Sequence, residues 1–382
     1  MPSCGSWRRT TRAAMTDGRE CAPSACSAAH SNFMREKVWG CEPLYVSAYK
    51  CFKGVGRKYS VQNYKLHVVS NTVKLARAHR NGTYKAKPPR VVPITYPKKR
   101  TARSIAFPDR TSQRSLNDVS LYPQTTSHFI RDNCACQKGK GTDYARMRMK
   151  AILRSAYLMY GTNDFKIVEV DAKGYYDNMD HAVTADMFRS MVDPWTAYNV
   201  NETLDKQYSG DTGYNPGSQM VQIAGIAYLN GSDHHMKEVV RRKLYLRYMD
   251  DSRTPAKDGE DAEYVLVEIV SEMSKVGLKP HPEKTRVVSA KDGTIFLGFL
   301  FRVTDTGKVL MSCDPAKVKA NRRKLRRLAN KIKRGETEPE ALSKSYECIR
   351  AHISKGNTRG ILRRMDALYN QLKGEINNEK ST

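Results

Sequence analysis

Residues 246–258, LRYMDDSRTPAKD, are the stretch that decides the fold. Two adjacent carboxylates, Asp250 and Asp251, follow an aromatic residue and lie between two short runs of strand character. Asp is common in tight turns because its side chain hydrogen-bonds the nearby backbone, whereas paired carboxylates are also ligands for divalent metal ions. A Y-x-D-D tetrad is a weak signal by itself, so the surrounding sequence has to decide between a turn and a metal site.

Composition favours a polyanionic partner. The 382 residues include 66 Lys and Arg against 39 Asp and Glu, a formal charge of +27. Such an excess repels itself unless a polyanion balances it, and nucleic acid is the leading candidate. No run reaches the roughly 18 apolar residues of a spanning helix, so no membrane partner is expected. Nine scattered cysteines without zinc spacing predict reduced thiols and a cytoplasmic location.

The chain changes character several times along its length. Residues 1–40 lack an apolar period and predict a disordered tail, or an upstream extension of the true reading frame. From about residue 46 to 114 the chain is basic and contains prolines, which predicts edge strands and loops. Further along, a helix is predicted with one face made of Ala145, Met149, Ile152 and Ala156. A hairpin is predicted to turn at TDTG, residues 304–307. Residues 315–335 hold ten Lys or Arg and no Asp or Glu. They open a predicted unit of three helices with one basic wall. The predicted inward faces are Val318, Leu325, Leu328 and Ile332 in the first helix, Leu342, Tyr346, Ile349 and Ile353 in the second, and Ile361, Met365, Leu368 and Leu372 in the third.

A second carboxylate position gives the paired Asp residues a context. In FKIVEVDAKGYYDNMD, an apolar run predicts a buried strand that ends at Asp171. Next to a hairpin carrying Asp250 and Asp251, it would bring three carboxylates together. Close negative charges raise one another's proton affinity, and two Mg²⁺ ions ~4 Å apart would neutralise them and support phosphoryl transfer to a 3′ hydroxyl. Three unrelated surface carboxylates are the alternative.

The motifs around these carboxylates, and their order, resemble those of the bacterial reverse transcriptases, which include the polymerases of group II introns, retrons, diversity-generating retroelements and phage-defence systems. The resemblance covers about residues 100–370. One match of this kind is weak, whereas a series in the family's order is specific. In chain order the matching stretches are ARSIAFPDRTSQRSLND with Asp109, Arg110 and Gln113 in D-R-x-x-Q, FIRDNCACQKGKGTDYA, VDAKGYYDNMD, NPGSQMVQ, RYMDD, GLKPHPEKT with Gly277, Leu278, Lys284 and Thr285, and FLGF at residues 296–299.

The resemblance implies an α+β fold with the right-hand architecture of polymerases. Its parts would be fingers over residues 41–166, a palm of antiparallel sheet plus helices over residues 167–311, a small basic three-helix thumb over residues 312–373, and a C-terminal tail over residues 374–382. The basic helix of the thumb would then lie along the template and product duplex and contact phosphates without reading sequence.

Carried over by position, the resemblance implies that Asp171, Asp250 and Asp251 bind two Mg²⁺ ions, or Mn²⁺ in their place. The backbone carbonyl of Ala172 would be a further ligand. Lys284 becomes a candidate proton donor to departing pyrophosphate, with a solvated surface lysine as the alternative.

Tyr176 falls where the family has an aromatic residue beneath the sugar, which implies exclusion of a 2′ hydroxyl and DNA as the product. Core packing is its alternative role. The other nucleotide-binding candidates are Lys98, Lys99, Arg100, Arg103, Gly217 and Gln222. Only one or two of the cations are expected to bind the triphosphate. The candidates for template and primer binding are Arg110, Lys138, Lys140, Phe296, Gly298, Arg322, Arg323, Arg326 and Arg327.

The implied activity is that of an RNA-directed DNA polymerase using an RNA template, a primer extended into cDNA, and deoxynucleoside triphosphates. A prokaryotic or phage retroelement or an antiviral defence system is the implied setting. Such enzymes commonly work with a dedicated noncoding RNA, an accessory protein or a second copy of the chain. A diversity-generating enzyme, a noncatalytic RNA-binding scaffold and an RNA-directed RNA polymerase remain open.

The match departs from the family at two places. Residues 252–256, SRTPA, stand where the family has an apolar strand, and Pro255 predicts that this arm of the hairpin is short or bent. Val221 stands where diversity-generating enzymes usually have Ser, which weakens assignment to that class.

Overall fold

The computed structural model describes residues 28–95, 100–215 and 217–380. Helices take 58% of the described residues and strands 13%, and all pairings between the named strands are antiparallel, so the predicted α+β class is confirmed. The helices are α1 (Ala28–Trp39), α2 (Cys41–Phe52), α3 (Tyr59–Leu66), α4 (Val68–Arg80), α5 (Phe107–Leu116), α6 (Tyr122–Ser127), α7 (Thr142–Tyr160), α8 (His181–Met191), α9 (Pro194–Gln207), α10 (Gln219–Ala227), α11 (Asn230–His234), α12 (Gly259–Lys275), α13 (Pro315–Lys333), α14 (Glu340–Ile353) and α15 (Arg359–Lys380). The strands are β1 (Arg90–Ile94), β2 (Arg100–Ser104), β3 (Lys166–Val170), β4 (Leu246–Tyr248), β5 (Asp251–Ala256), β6 (Arg286–Ser289), β7 (Thr294–Phe296), β8 (Phe299–Val303) and β9 (Val309–Cys313).

The first described helix corrects the expected N-terminal tail. α1 buries Met34 and Val38 in the main hydrophobic core, so the prediction of disorder is wrong for residues 28–40. Residues 1–27 lie outside the described part of the chain. The sequence pattern did not predict this helix because only one apolar residue per turn faces the core, which is too few to form a continuous apolar stripe.

Helices also replace part of the predicted edge strands and loops. Between residues 46 and 80 the chain forms the end of α2 and all of α3 and α4, joined by turns, so the expectation of strands there is wrong. In α4 the inward positions include Thr72 and His79 as well as Val68 and Leu75, and two polar residues on the buried face conceal its period. The prediction is correct further along, where β1 and β2 form an isolated two-stranded hairpin.

A stack of three rings fixes α4 against its neighbours. The His79 ring lies 4.1 Å from that of Trp39 and 4.0 Å from that of Tyr84, and its Nε2 is 2.8 Å from the Ser112 hydroxyl. Burial lowers the pKa of His79 from 6.5 to about 3. The ring is therefore neutral in the folded protein over a pH range in which the unfolded chain protonates it.

We expect this histidine to make the protein sensitive to acid. Its contribution to stability is complete above pH 6.5 and is lost as the pH falls toward 3, by up to about 1.4 kcal/mol per pH unit. His79→Phe keeps the stack but removes the proton site, so the unfolding free energy should fall less steeply between pH 6 and 4. Denaturant titrations over this range measure the slope. Ser112→Ala, which keeps the histidine, should retain the wild-type slope, and equal slopes for wild type and His79→Phe would contradict the assignment.

The central sheet has four strands in the order β4-β5-β3-β6. β5 is a full six-residue strand that pairs with β3 over five consecutive positions, so the expectation of a short or bent arm is wrong. β4 reaches only as far as Arg253. At Pro255 the β4 side of β5 therefore has no ladder bond to lose, which is the situation in which a strand tolerates proline.

A second sheet of three strands, β7-β8-β9, follows in the chain. The predicted hairpin at TDTG is confirmed between β8 and β9. β7 and β8 are joined by Leu297 and Gly298, with φ of 48° and 81°. Two successive positive φ values are typical of the tight turn that matches strand twist. The core side of this sheet packs with α7 and the last three helices in a second hydrophobic cluster.

The predicted unit of three helices is present as α13, α14 and α15. Their buried residues include Leu325 and Ile332 of α13, Ile349 of α14, and Met365 and Leu372 of α15, which confirms the predicted faces. α15 continues through Lys380 and buries Ile376, so the expected tail is wrong for residues 374–380. Within the described residues, no helix is both long and apolar enough to cross a membrane.

Candidate active site

The register of the central sheet brings the three predicted carboxylates together. β3 and β5 are paired so that Val170 lies opposite Ser252. Asp171 follows one residue beyond that pair, on the side where β5 begins with Asp251. Asp250 occupies the turn between β4 and β5. Residues opposite each other on antiparallel strands have Cβ atoms about 5 Å apart, so the chain places these acids at one end of the sheet.

The GLKPHPEKT stretch folds back onto Asp171. The backbone N–H of His281 donates to the Asp171 carbonyl at 2.7 Å, and the Thr285 hydroxyl lies 3.4 Å from the same oxygen. Lys284 Nζ donates to both carboxylate oxygens of Asp171, at 2.9 and 3.1 Å. Ala172 is buried and pairs with Pro280 in an isolated bridge. Two motifs more than a hundred residues apart in the chain thus meet at the site.

The electrostatics of the carboxylates call for positive charge. Burial, followed by the charge of Asp171, raises the pKa of Asp250 above its usual value. Burial likewise raises the pKa of Asp251 to about 7; Arg253 opposes the increase, and Asp171 and Asp250 add to it. The ionised carboxylates repel one another, which raises their pKa values, and a nearby cation stabilises their charged form. Because carboxylate oxygens are the ligands that Mg²⁺ prefers, the donor set fits a divalent metal ion.

Protein cations occupy this end of the sheet. Over the described residues, no group of three or more His, Cys, Asp or Glu side chains is arranged to hold a metal ion as it stands. Instead Lys284 is paired with Asp171, and the guanidinium of Arg253 is paired with Asp251. Binding of a metal would therefore compete with two ion pairs.

A buried arginine supports the turn that carries the paired acids. Arg247 is 1% exposed and holds both carboxylate oxygens of Asp233, at 2.7 and 2.6 Å. Its Nη1 also donates to the Met249 carbonyl at 2.6 Å. Met249 has φ of 60°, a conformation unusual for a residue other than glycine. The Arg247 contact offsets part of that strain and fixes the direction in which Asp250 leaves the turn.

Tyr176 is half-buried beside the site, and its ring meets α10. A Cβ at Gly225 would lie 2.7 Å from the Tyr176 hydroxyl oxygen and 2.9 Å from a ring carbon. The Tyr175 hydroxyl donates to the Gly225 carbonyl at 2.6 Å. Gly225 is thus the residue that lets the Tyr176 ring rest against the helix, which is compatible with both the sugar-sensing and the packing roles proposed for the ring.

We expect Gly225→Ala to destabilise the protein by about 1–3 kcal/mol because the new methyl group overlaps the Tyr176 ring. Tyr176→Leu should relieve the overlap, so the double variant should be more stable than the sum of the single changes predicts, by about 1 kcal/mol. Denaturant unfolding of the four proteins measures this coupling. Gly231→Ala is the matched control, since nothing lies within 4 Å of a Cβ there. Additive effects would contradict the contact.

The predicted nucleotide-binding residues are only partly brought together. Arg103 donates to the Gln207 carbonyl at 2.7 Å and to Asn215 at 3.1 Å, so its guanidinium ties β2 to the loop before α10. The carbonyl oxygen of Arg103 lies so close to Gly217 that a Cβ atom at position 217 would be only 2.7 Å from this oxygen. Gln222 is exposed on α10. Lys98 and Lys99 lie outside the described residues, and Arg100 is described only as the first residue of β2.

The predicted nucleic-acid contacts in the first half of the chain differ in their surroundings. Arg110 is exposed and lines a cavity of about 100 Å³ together with Gly217 and Lys50. Lys138 is exposed, with its ammonium 5.3 Å from the centre of the Tyr122 ring. Lys140 donates to the carbonyls of Arg131 and Asn133 at 3.0 and 3.1 Å. Through these bonds the Lys140 ammonium stabilises the loop that contains Arg131 and Asn133.

One predicted nucleic-acid contact is wrong. Phe296 is 0% exposed and packs near Tyr248 and Phe301, so its ring cannot reach a primer. The sequence could not show this because alternate residues of a strand face opposite sides, and an FLGF stretch does not say which side is inside. The neighbouring Gly298 is partly exposed in the turn.

The basic helix α13 presents its cations outward. Arg323, Arg326 and Arg327 are exposed and Arg322 is half-buried. In the described part of the chain, none of these four arginines forms an ion pair, whereas Lys331 of the same helix pairs with Glu336. Unpaired guanidinium groups along one helix are available for phosphate oxygens.

Three residues near the acids were not anticipated from the sequence. Arg253 lies inside SRTPA, which was singled out only as a departure, and Arg247 directly precedes the tyrosine of the motif. Cys136 contacts the turn, with its Sγ 3.9 Å from the Met249 sulfur. Buried arginines leave no periodic signal, so only their position beside a functional motif could have drawn attention to them.

No protein-family model matches the chain, and no significant match is found among curated protein sequences.

Proposed function

We propose that the protein is an RNA-directed DNA polymerase with the right-hand arrangement of fingers, palm and thumb. The observation that carries the proposal is the pairing of β3 with β5, which assembles Asp171, Asp250 and Asp251 at one sheet end with Lys284 beside them. These residues come from three separate parts of the chain, so their convergence is not a consequence of local sequence.

Two divalent ions, Mg²⁺ or Mn²⁺, would be held by Asp171, Asp250, Asp251 and the Ala172 carbonyl, and when bound would activate the primer 3′ hydroxyl and stabilise the leaving oxygen. The chain's own residues would do the rest. Lys284 is 57% exposed on its side chain, so its ammonium can turn from Asp171 toward a departing pyrophosphate and donate a proton. Tyr176 would lie beneath the sugar and exclude a 2′ hydroxyl.

The nucleic-acid partners in this proposal are an RNA template and a primer extended into cDNA. The arginines of α13 would hold the duplex through its phosphates. We place the enzyme in the cytoplasm of a prokaryote, in a retroelement or an antiviral defence system. A dedicated noncoding RNA, an accessory protein or a second copy of the chain would complete it. A diversity-generating retroelement is the alternative setting.

A noncatalytic RNA-binding scaffold is the second candidate, and one observation favours it. Asp171 and Asp251 are both paired with protein cations, as carboxylates that no longer bind metal would be. Incorporation of labelled deoxynucleotides on an RNA template with Mg²⁺ separates the two functions. Activity in the wild type that disappears in Asp250→Asn/Asp251→Asn supports the polymerase; equal signals from both proteins would refute it. Competition between ribonucleotides and deoxynucleotides, measured in wild type and in Tyr176→Ala, tests for RNA synthesis.

A further inference from the structure

Arg253 is a buried cation that is paired directly with one of the candidate metal ligands. It is 5% exposed, and its Nη1 donates to Asp251 and, at 2.8 Å, to the Ser252 carbonyl. Its Nη2 is 3.8 Å from a carboxylate oxygen of Glu169. The guanidinium therefore lies behind the site, between a candidate metal ligand and a second, fully buried acid.

The same guanidinium reaches the other sheet. Its Nε lies 3.2 Å from the Thr294 hydroxyl, and its Nη2 lies 3.3 Å from the Ile295 carbonyl. Its centre is 5.7 Å from the ring of Phe296. All three partners belong to β7, which leads directly into the Leu297–Gly298 turn. One side chain thus joins the strand that begins with Asp251 to the hairpin that contains the FLGF stretch.

Stability alone does not account for this arrangement. Two charges removed from water cost about as much as their attraction returns, so a buried ion pair contributes little net stability compared with apolar packing. Glu169 does not need Arg253 as its sole counter-ion, because Arg286 Nε lies 2.9 Å from the same oxygen. The fork geometry, with bonds to both sheets, is better explained as a means of fixing Asp251 relative to the hairpin.

We propose that Arg253 is a positioning residue that couples the β7–β8 hairpin to the Asp251 carboxylate, and that its positive charge weakens the binding of divalent cations by the three acids. This proposal rests on the proposed function, since it assumes that the acids bind metal. The two effects have different physical origins. The charge acts through space on the metal, whereas the coupling requires the planar fork and its several donors.

Two substitutions separate the effect of the positive charge from that of the planar guanidinium fork. Arg253→Met removes both. At pH 8 it should tighten Mn²⁺ binding roughly tenfold, because a cation next to the ligands is gone. It should also lower the rate of nucleotide incorporation at least tenfold, because Asp251 is no longer held. Arg253→Lys keeps the charge but cannot make all the fork's bonds. It should leave Mn²⁺ affinity within about twofold of wild type and still lower the rate.

The measurements are calorimetric titration of Mn²⁺ into the full chain without nucleic acid, and single-nucleotide incorporation at saturating primer–template. Arg253→Met/Glu169→Gln guards against misfolding from an uncompensated buried acid. Because it removes one positive and one negative charge near Asp251, its Mn²⁺ affinity should lie between those of wild type and Arg253→Met. Arg302→Met, an exposed arginine on β8, is the matched control and should match wild type in both measurements. Unchanged or weaker Mn²⁺ binding in folded Arg253→Met would overturn the charge effect, and a wild-type rate in Arg253→Lys would overturn the coupling.

Failure of this inference differs from failure of the proposed function. If the wild type binds Mn²⁺ and extends primers but the Arg253 variants behave like it, only the role of Arg253 is lost. If the wild type neither binds Mn²⁺ nor extends a primer, the polymerase proposal itself fails, and the inference with it.

Discussion

Asp250→Asn is expected to reduce deoxynucleotide incorporation by roughly 10³-fold or more, equivalent to about 4 kcal/mol of transition-state stabilisation. The amide has the shape of the carboxylate but not its charge, so it is a poor ligand for Mg²⁺. Asp250 has no ion-pair partner among the described residues, and its pKa is raised by burial and by Asp171. Neutralising it therefore removes repulsion and leaves no cation unpaired.

The same variant should be at least as stable as wild type at pH 8, where the raised pKa makes the ionised form unfavourable. Primer extension at saturating template and denaturant unfolding measure the two quantities. Asp164→Asn removes an exposed carboxylate just before β3 and should keep activity within about twofold. An active Asp250→Asn enzyme would contradict the metal-ligand assignment, and an unfolded one would contradict the electrostatic account.

Replacing the four arginines of α13, Arg322, Arg323, Arg326 and Arg327, by Gln is expected to weaken binding of primer–template by roughly 100-fold at 50 mM salt. Each phosphate contact contributes about −0.9 to the slope of log affinity against log salt. Loss of four contacts should therefore make the slope shallower by about 3 to 4. Gln has a helix propensity close to that of Arg, so the fold of α13 should persist.

Anisotropy titrations with labelled duplex at several salt concentrations measure this slope. The matched control removes four exposed cations of other helices, namely Lys65, Lys74, Arg189 and Lys206. It changes the net charge equally, and its slope should stay close to that of wild type. If both sets flatten the slope equally, long-range net charge rather than contact at α13 governs binding. Because phosphate contacts carry no sequence information, the loss should be similar for unrelated duplexes.

The pattern of apolar residues was sufficient for the regular parts of the fold. The face of α7 was predicted from Ala145, Met149, Ile152 and Ala156, all of which are buried. The faces of the last three helices were predicted equally well, because a period of 3.6 residues shows which side of a helix is inward. Where inward positions are polar, as at Thr72 and His79 of α4, the period is hidden and strands were expected instead.

For the candidate site, the sequence indicated the acids but not what surrounds them. Asp171, Asp250, Asp251 and Lys284 could be placed together because ordered motifs mark them. The buried ring of Phe296 could not be foreseen, and neither could the space that Gly225 leaves for Tyr176. Both depend on elements that are distant in the chain.

The sequence by itself determined the α+β class, the inward faces of the long helices and the identity of the acidic residues, since each follows from local period or motif order. Only the tertiary structure decided how those acids are held. The partners of Arg253 lie at position 169 and positions 294–296, and a long polar side chain carries no periodic signal of where its donors will be satisfied. The SRTPA stretch that looked like a defect in the strand is where the fold fixes Asp251.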